Sequence, residues 1–157
     1  METGVCNGVS TAFLLLALER NGEGELYSID LPEIAGEEYE QGTFWDGKGG
    51  AVIPPGKEPG WMVPVELRRR WQLVLGRSQD ELPPLLERVD EIDFFMHDSE
   101  HSYECMSFEF EAAWAALRAG GAIVADDVTV NSAWDEFAAR VQRESQPLGP
   151  KLAMIVK

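Results

Sequence analysis

Positive charge is scarce in this chain. Lys and Arg number 13 against 28 Asp and Glu, a net charge of −15 over 157 residues. Phosphate contacts need Lys and Arg, so the balance argues against nucleic acid and anionic membranes as partners. It fits a site that gathers carboxylates around a cation. Cysteine is scarcer still, with Cys6 and Cys105 alone. Two cysteines and no secretory leader point to a reduced, cytoplasmic compartment. No apolar run nears the roughly 20 residues of a membrane span, and Leu14 to Leu18 is far too short. Internal repeats and low-complexity tracts are missing too. What is present is ordinary for one globular domain: 45% hydrophobic and 10% aromatic residues, enough for a single core.

The chain is organised around its first ten residues. Gly4 and Gly8 stand where a backbone bends tightly and lies close to a ligand. Ser10 or Thr11 is placed to cap a helix over Val9 to Arg20, whose near-continuous apolar face predicts burial against a sheet. A strand, Glu25 to Asp30, follows and ends in an acid. Asp30 lies 22 residues after Gly8, close to the ~20-residue spacing of a nucleotide site whose carboxylate meets ribose hydroxyls. A purely structural turn, with Asp30 as a solvated strand end, is the alternative on these residues alone.

An irregular region from Leu31 to about Pro64 carries many Gly and Pro together with Trp45 and Trp61. Its length predicts a lid, a surface that closes on a partner subunit, or a mobile insertion. Beyond it the spacing predicts a short helix at Val65 to Arg70, a strand at Trp71 to Leu75 and a helix at Gln79 to Arg88 with Pro83 and Pro84 in its first turn. A strand at Ile92 to Met96 and a helix at Ser102 to Arg118 come next; Met106, Phe110, Trp114 and Leu117 share one face of that helix. Ala119 to Gly121 end it. The last elements are a strand at Ala122 to Ala125, a helix at Asn131 to Glu144 and a strand at Leu152 to Val156. Strands alternating with helices predict an α/β, Rossmann-like, mostly parallel sheet flanked by helices. Ligands in such sheets bind beyond the carboxyl ends of the strands.

Asp98, Glu100, Asp126 and Asp127 fall just past two strands that would be neighbours. Convergent carboxylates suit Mg²⁺, Mn²⁺ or Ca²⁺, and without a cation they would push one pKa upward. Helix capping by these acids is the bland alternative. His101, three residues after Asp98, is a candidate general base. His97 is expected to face the interior or cap, with no assigned role.

Taken together, Glu2 to Ser10, Asp30, Gly76 to Ser78, His97 to Tyr103 and Gly120 to Asp127 resemble the class I S-adenosylmethionine (SAM) dependent methyltransferases. The similarity is to the metal-dependent small-molecule O-methyltransferase branch, which includes macrocin O-methyltransferase and, more distantly, catechol O-methyltransferase. It spans nearly the whole chain, and its specific part is Asp-x-x-His-x-Tyr followed by Gly-Gly-x-x-x-x-Asp-Asp. The resemblance implies one domain over residues 1–157, SAM as cofactor and a divalent metal, magnesium in the first instance. It implies SAM contacts from Glu2, Gly4, Asn7, Gly8, Ser10, Asp30, Gly76, Ser78 and Asp98. It further implies metal ligands at Asp98, Asp126 and Asp127, and His101 as base. The acceptor would be a hydroxyl of a small molecule, with a homodimer possible.

Three departures from the family pattern stand out. Cys6 replaces the second glycine, most of the first strand is missing ahead of Glu2, and one clear strand instead of an antiparallel pair follows the last helix. The expectation is an incomplete sheet. Two rivals remain at this point. A nicotinamide-dependent oxidoreductase would also use Asp30, although neither Gly-x-Gly-x-x-Gly nor Tyr-x-x-x-Lys is present. A non-catalytic SAM-binding or assembly module is the other.

Overall fold

The computed structural model describes residues 1–36 and 52–157. Strand β1 (Glu2–Thr3) leads through a turn into helix α1 (Val9–Asn21) and strand β2 (Leu26–Asp30). Strands β3 (Glu33–Ile34) and β4 (Val52–Ile53) form a small parallel pair. A 3₁₀ helix (Val65–Arg70) then runs directly into β5 (Trp71–Leu75) and α2 (Ser78–Val89). The second half contributes β6 (Ile92–His97), α3 (Tyr103–Ala116), β7 (Leu117–Ala125), α4 (Ala133–Val141), β8 (Gln146–Pro147) and β9 (Ala153–Val156).

The main sheet has the order β5-β2-β1-β6-β7-β9-β8. Pairing is parallel from β5 to β7 and antiparallel through β9 and β8. The expected Rossmann-like architecture is present, and β1 indeed has only two residues. It occupies the centre all the same, pairing with Ser28 and Ile29 on one side and with Met96 and His97 on the other. The chain reverses direction across β1 in strand order, which is the switch point where such sheets bind ligands.

The core lies between the sheet and α2, α3 and α4. Phe95, Ile123, Met106, Phe110, Trp134 and Phe137 are fully or almost fully buried there. Phe110 meets Trp134 edge-to-face at a ring separation of 5.2 Å, a geometry that aromatic quadrupoles favour, and Phe137 at a tilt at 5.4 Å. The apolar face expected on α3 is thus the one that packs.

Several expectations need correction. The antiparallel pair is complete, because β8 precedes β9; two residues including Pro147 leave no pattern to read. Helix α3 stops at Ala116, and the backbone becomes extended at Leu117, which pairs with Ile92 before a bulge lets Phe94 meet Ala122. Gly120 and Gly121 therefore lie inside β7 and do not end a helix. Helix α2 begins at Ser78, so Pro83 and Pro84 sit in its second turn. Burial of Leu82, Leu85 and Leu86 holds that helix together despite the missing amide donors.

Helix α1 buries only Thr11 and Leu15, while Val9, Phe13 and Leu16 form an exposed stripe, with Phe13 71% accessible. The lid expected over residues 31–64 falls partly outside the described residues. Its described second half is stitched down: Gly60 and Met62 donate backbone hydrogen bonds to Cys6 and Asn7, and Val63 is buried with Leu15 and Leu26.

Candidate active site

Four of the five strands in the parallel half continue their ladder by one residue past their end. Gly4 donates to Ile29, Gly76 to Asp30, Asp98 to Thr3 and Asp126 to His97, all at 2.9 Å. These bonds align Gly4, Asp30, Gly76, Asp98 and Asp126 along one sheet edge. Five of the residues singled out from sequence are brought together by register alone.

The turn after β1 is tight for a reason that can be measured. A Cβ on Gly4 would lie 1.9 Å from the Asp98 carbonyl oxygen, far inside van der Waals contact. Only glycine lets the β1 and β6 loops touch here. Gly8 caps α1 in the left-handed region (φ 89°), with no side-chain capping bond. Cys6 also has a positive φ, 46°. It occupies the conformation for which a glycine would be the unstrained choice, so the departure at this position keeps the turn's shape.

Ser10 and Thr11 do not cap α1. Their hydroxyls instead donate to the Glu2 carboxylate, at 2.7 and 2.8 Å, and Ser28 donates to it at 2.8 Å. Glu2 is fully buried. Burial raises its pKa, and the three hydroxyl donors pull the other way. Glu2 and Ser10, both expected at the cofactor, are therefore engaged with each other and shape the turn from behind. Ser78 is similarly buried, its Oγ 3.5 Å from Cys105 Sγ. Asn7 accepts from Trp61 Nε1 at 2.6 Å.

Asp30 behaves differently. Oδ1 accepts the Val5 and Cys6 amides at 2.8 and 3.2 Å, whereas Oδ2 is buried with no partner. Burial raises its pKa against those two amides. A buried acceptor without a donor is costly, by about 1–3 kcal/mol, and a ligand hydroxyl would satisfy it.

On the other side of β1, Asp98, His101 and Asp126 offer ligand atoms all within 4.8 Å of one another. His101 Nε2 is 3.9 Å from Asp98 Oδ1 and has no hydrogen-bond partner. Burial, then the charge of Asp126, pushes Asp98 up to about 7. Burial, then His97, pushes His101 below its usual value. Asp127 is not part of this group. Its backbone is left-handed (φ 49°), and its carboxylate pairs with Lys151 at 2.7 Å. That pairing lowers its pKa. Of the three aspartates expected as ligands, Asp98 and Asp126 lie together with His101, while Asp127 pairs with Lys151.

Sequence reasoning missed the support behind this group. Glu109 is fully buried and accepts from Thr3 Oγ1, His97 Nδ1 and Ser99 Oγ. Asn131 donates to the His101 carbonyl at 3.1 Å. A signal for Glu109 was available: it sits on the buried stripe of α3 between Met106 and Ala113, where an acid needs partners. His97 faces the interior, as expected.

A mostly parallel sheet flanked by helices, with its switch point at β1, defines the Rossmann-like α/β class. Residues 1–128 match a family described as a methyltransferase domain, and the chain belongs to that family. No curated protein sequence matches the chain. Among solved structures it resembles the O-methyltransferase NovP, with a TM-score of 0.71 at 15% identity over 99% of this chain and 70% of that one. CalS11, a TDP-rhamnose 3'-O-methyltransferase of calicheamicin biosynthesis, gives 0.66 at 15% identity, over 99% and 70%. The MycE methyltransferase of the mycinamycin pathway, in complex with Mg, SAH and mycinamycin VI, gives 0.56 at 15% identity, over 99% and 43%. At these identities the likeness concerns the fold. Membership of a methyltransferase family sets the nicotinamide reading aside. Among the described residues, no helix is long and apolar enough to cross a membrane.

Proposed function

We propose that this chain transfers the methyl group of SAM to a hydroxyl of a small molecule, with a divalent cation assisting. The observation that carries the reading is the pairing, along one sheet edge, of the unpartnered Asp30 Oδ2 with the Asp98, His101 and Asp126 group. Asp30 Oδ2 accepts a ribose hydroxyl of the donor. Gly4 and Gly8 keep the turn's backbone free of side chains beside the donor, and Gly76 borders it from β5. Asp98 and Asp126 are the residues that would hold the cation, whose charge would favour ionisation of the acceptor hydroxyl. His101, held neutral at neutral pH by burial, takes the hydroxyl proton. Rate then comes chiefly from holding acceptor oxygen and methyl in line. SAH in the MycE complex and the O-methyl transfer named for NovP and CalS11 support this choice of chemistry. Asp127 is left to Lys151. Acceptor shape is assigned to the region 31–64, and the compartment to the cytoplasm.

Calorimetric titration with SAM and with NAD, each with and without Mg²⁺, tests the cofactor. SAM binding without NAD binding is expected, weakened at least tenfold by Asp30→Asn. NAD binding, or no effect of Asp30→Asn, would reject the reading. For catalysis, Asp98→Asn with Asp126→Asn is expected to abolish Mg²⁺-dependent turnover of a sugar or phenol acceptor while SAM still binds. Full turnover would remove the cation from the mechanism.

A further inference from the structure

Three hydrogen bonds from two separate segments end on one buried carboxylate. Glu109, in the middle of α3, receives Thr3 Oγ1 from β1, His97 Nδ1 from the end of β6 at 2.7 Å, and Ser99 Oγ from the following loop at 2.7 Å. Cys105 Sγ adds a longer contact at 3.5 Å and itself meets Ser78 Oγ at the start of α2. Glu109 and His97 are both 0% accessible. His97 and Ser99 are the two residues flanking Asp98, and Thr3 immediately precedes Gly4. Thr3 also supplies the carbonyl that receives the Asp98 amide.

We propose that Glu109 is a positioning residue for the active site, fixing the peptide that presents Asp98 against the glycine turn. The proposal rests on the reading of Asp98 as a site residue, and it concerns no contact with donor, acceptor or metal. A carboxylate suits this role because it accepts only. It has four lone-pair sites, enough for three separate donors. Three donors from two chain segments leave it little freedom, and so fix both segments relative to α3. Local packing cannot do the same, because β1 has two residues and the Asp98 loop is partly exposed. The charge state supports the geometry: burial raises the pKa of Glu109, but the His97 bond and charge, with Ser78 and Thr3, bring it below the ordinary value.

The decisive experiment is hydrogen–deuterium exchange on the whole chain for wild type, Glu109→Gln and the core variant Phe137→Leu. Glutamine keeps the size and one acceptor oxygen but turns a donor toward the incoming donors. We expect amides of residues 2–6 and 97–101 to exchange at least tenfold faster in Glu109→Gln, with α4 and β5 unchanged. Phe137→Leu should lower stability without that local pattern. Wild-type protection at both segments in Glu109→Gln, or a uniform acceleration along the chain, would overturn the proposal. Should Glu109→Gln fail to fold, Ser99→Ala removes one bond only. Acceleration confined to 97–101 is then expected, and unchanged protection there overturns the proposal. SAH titration of the same proteins separates this idea from the functional reading. At least tenfold weaker binding by folded Glu109→Gln is expected, whereas a wild type that ignores SAH would reject the function and leave the exchange result to judge Glu109.

Discussion

On the β1–β2 side of the sheet edge, the Glu2 carboxylate takes three hydroxyl donors and one oxygen of Asp30 takes two amides. On the β6–β7 side, Asp98 and Asp126 lie close together with His101. The burial of Asp98 and the charge of Asp126 leave it titrating near neutrality, at about 7. The first arrangement is complete within the protein except for one oxygen. The second has like charges in proximity and is completed only by a cation or a proton. On the function proposed above, the difference teaches how one edge would serve two tasks. A donor site gains from a backbone already fixed before the ligand arrives, whereas a cation site needs carboxylates that attract the ion strongly because nothing else neutralises them.

The most severe way to break this comparison is to push the two sides apart. Gly4→Ala places a methyl group against the Asp98 carbonyl, 1.9 Å from it before relaxation, at a φ of 85°. Left-handed strain and overpacking together predict a loss of about 3 kcal/mol in urea unfolding, with SAM binding lost as well. A loss under about 1 kcal/mol would mean that the loops can separate freely.

A milder test sharpens the electrostatic side. Because the folded pKa of Asp98 is about 7 and the ordinary value 3.8, the folded chain keeps a proton that the unfolded chain releases. The stability contributed by this group is therefore present below pH 4 and falls as pH rises from roughly 4 to 7. Asp98→Asn should remove that slope, so the variant gains on wild type between pH 4 and 7 in metal-free urea unfolding. Saturating Mg²⁺ should close the gap by stabilising the wild-type carboxylate. Parallel pH profiles for the two proteins would sink this account of Asp98.

The smallest effect is expected at Cys6. Replacing it with Gly relieves left-handed strain of ~1 kcal/mol but adds unfolded-state entropy of ~0.5–1 kcal/mol. Stability should change by no more than about 0.5 kcal/mol, and SAM affinity by less than threefold. A larger loss would assign the thiol a role of its own.

Much of the fold was legible in the sequence. Trp71 to Leu75 was placed to the residue, and most other bounds to within about two, because apolar periodicity and Gly or Asn punctuation are local signals. The buried face of α3 was legible for the same reason. The exposed stripe of α1 was not, since composition says that Val9, Phe13 and Leu16 are apolar but not what lies opposite them. Of the proposed site residues, Asp30, Asp98 and Asp126 could be read from their position at strand ends. The distant partners of Asp127 and Glu109 could not. Lys151 and Thr3 are distant in sequence from the acids they meet, and a hydrogen-bond partner more than 20 residues away leaves no trace in spacing.

By itself, then, the sequence determined the alternation of strands and helices, the glycine turn and the run of acids at strand ends, all consequences of short-range backbone and burial preferences. The tertiary structure alone decided which of those acids face one another and which are tied up inside. Sheet register set Asp98 beside Asp126, the left-handed backbone and Lys151 took Asp127 away, and three donors from separate segments converged on Glu109. Those outcomes depend on packing distant segments to within hydrogen-bonding distance, which no local pattern encodes.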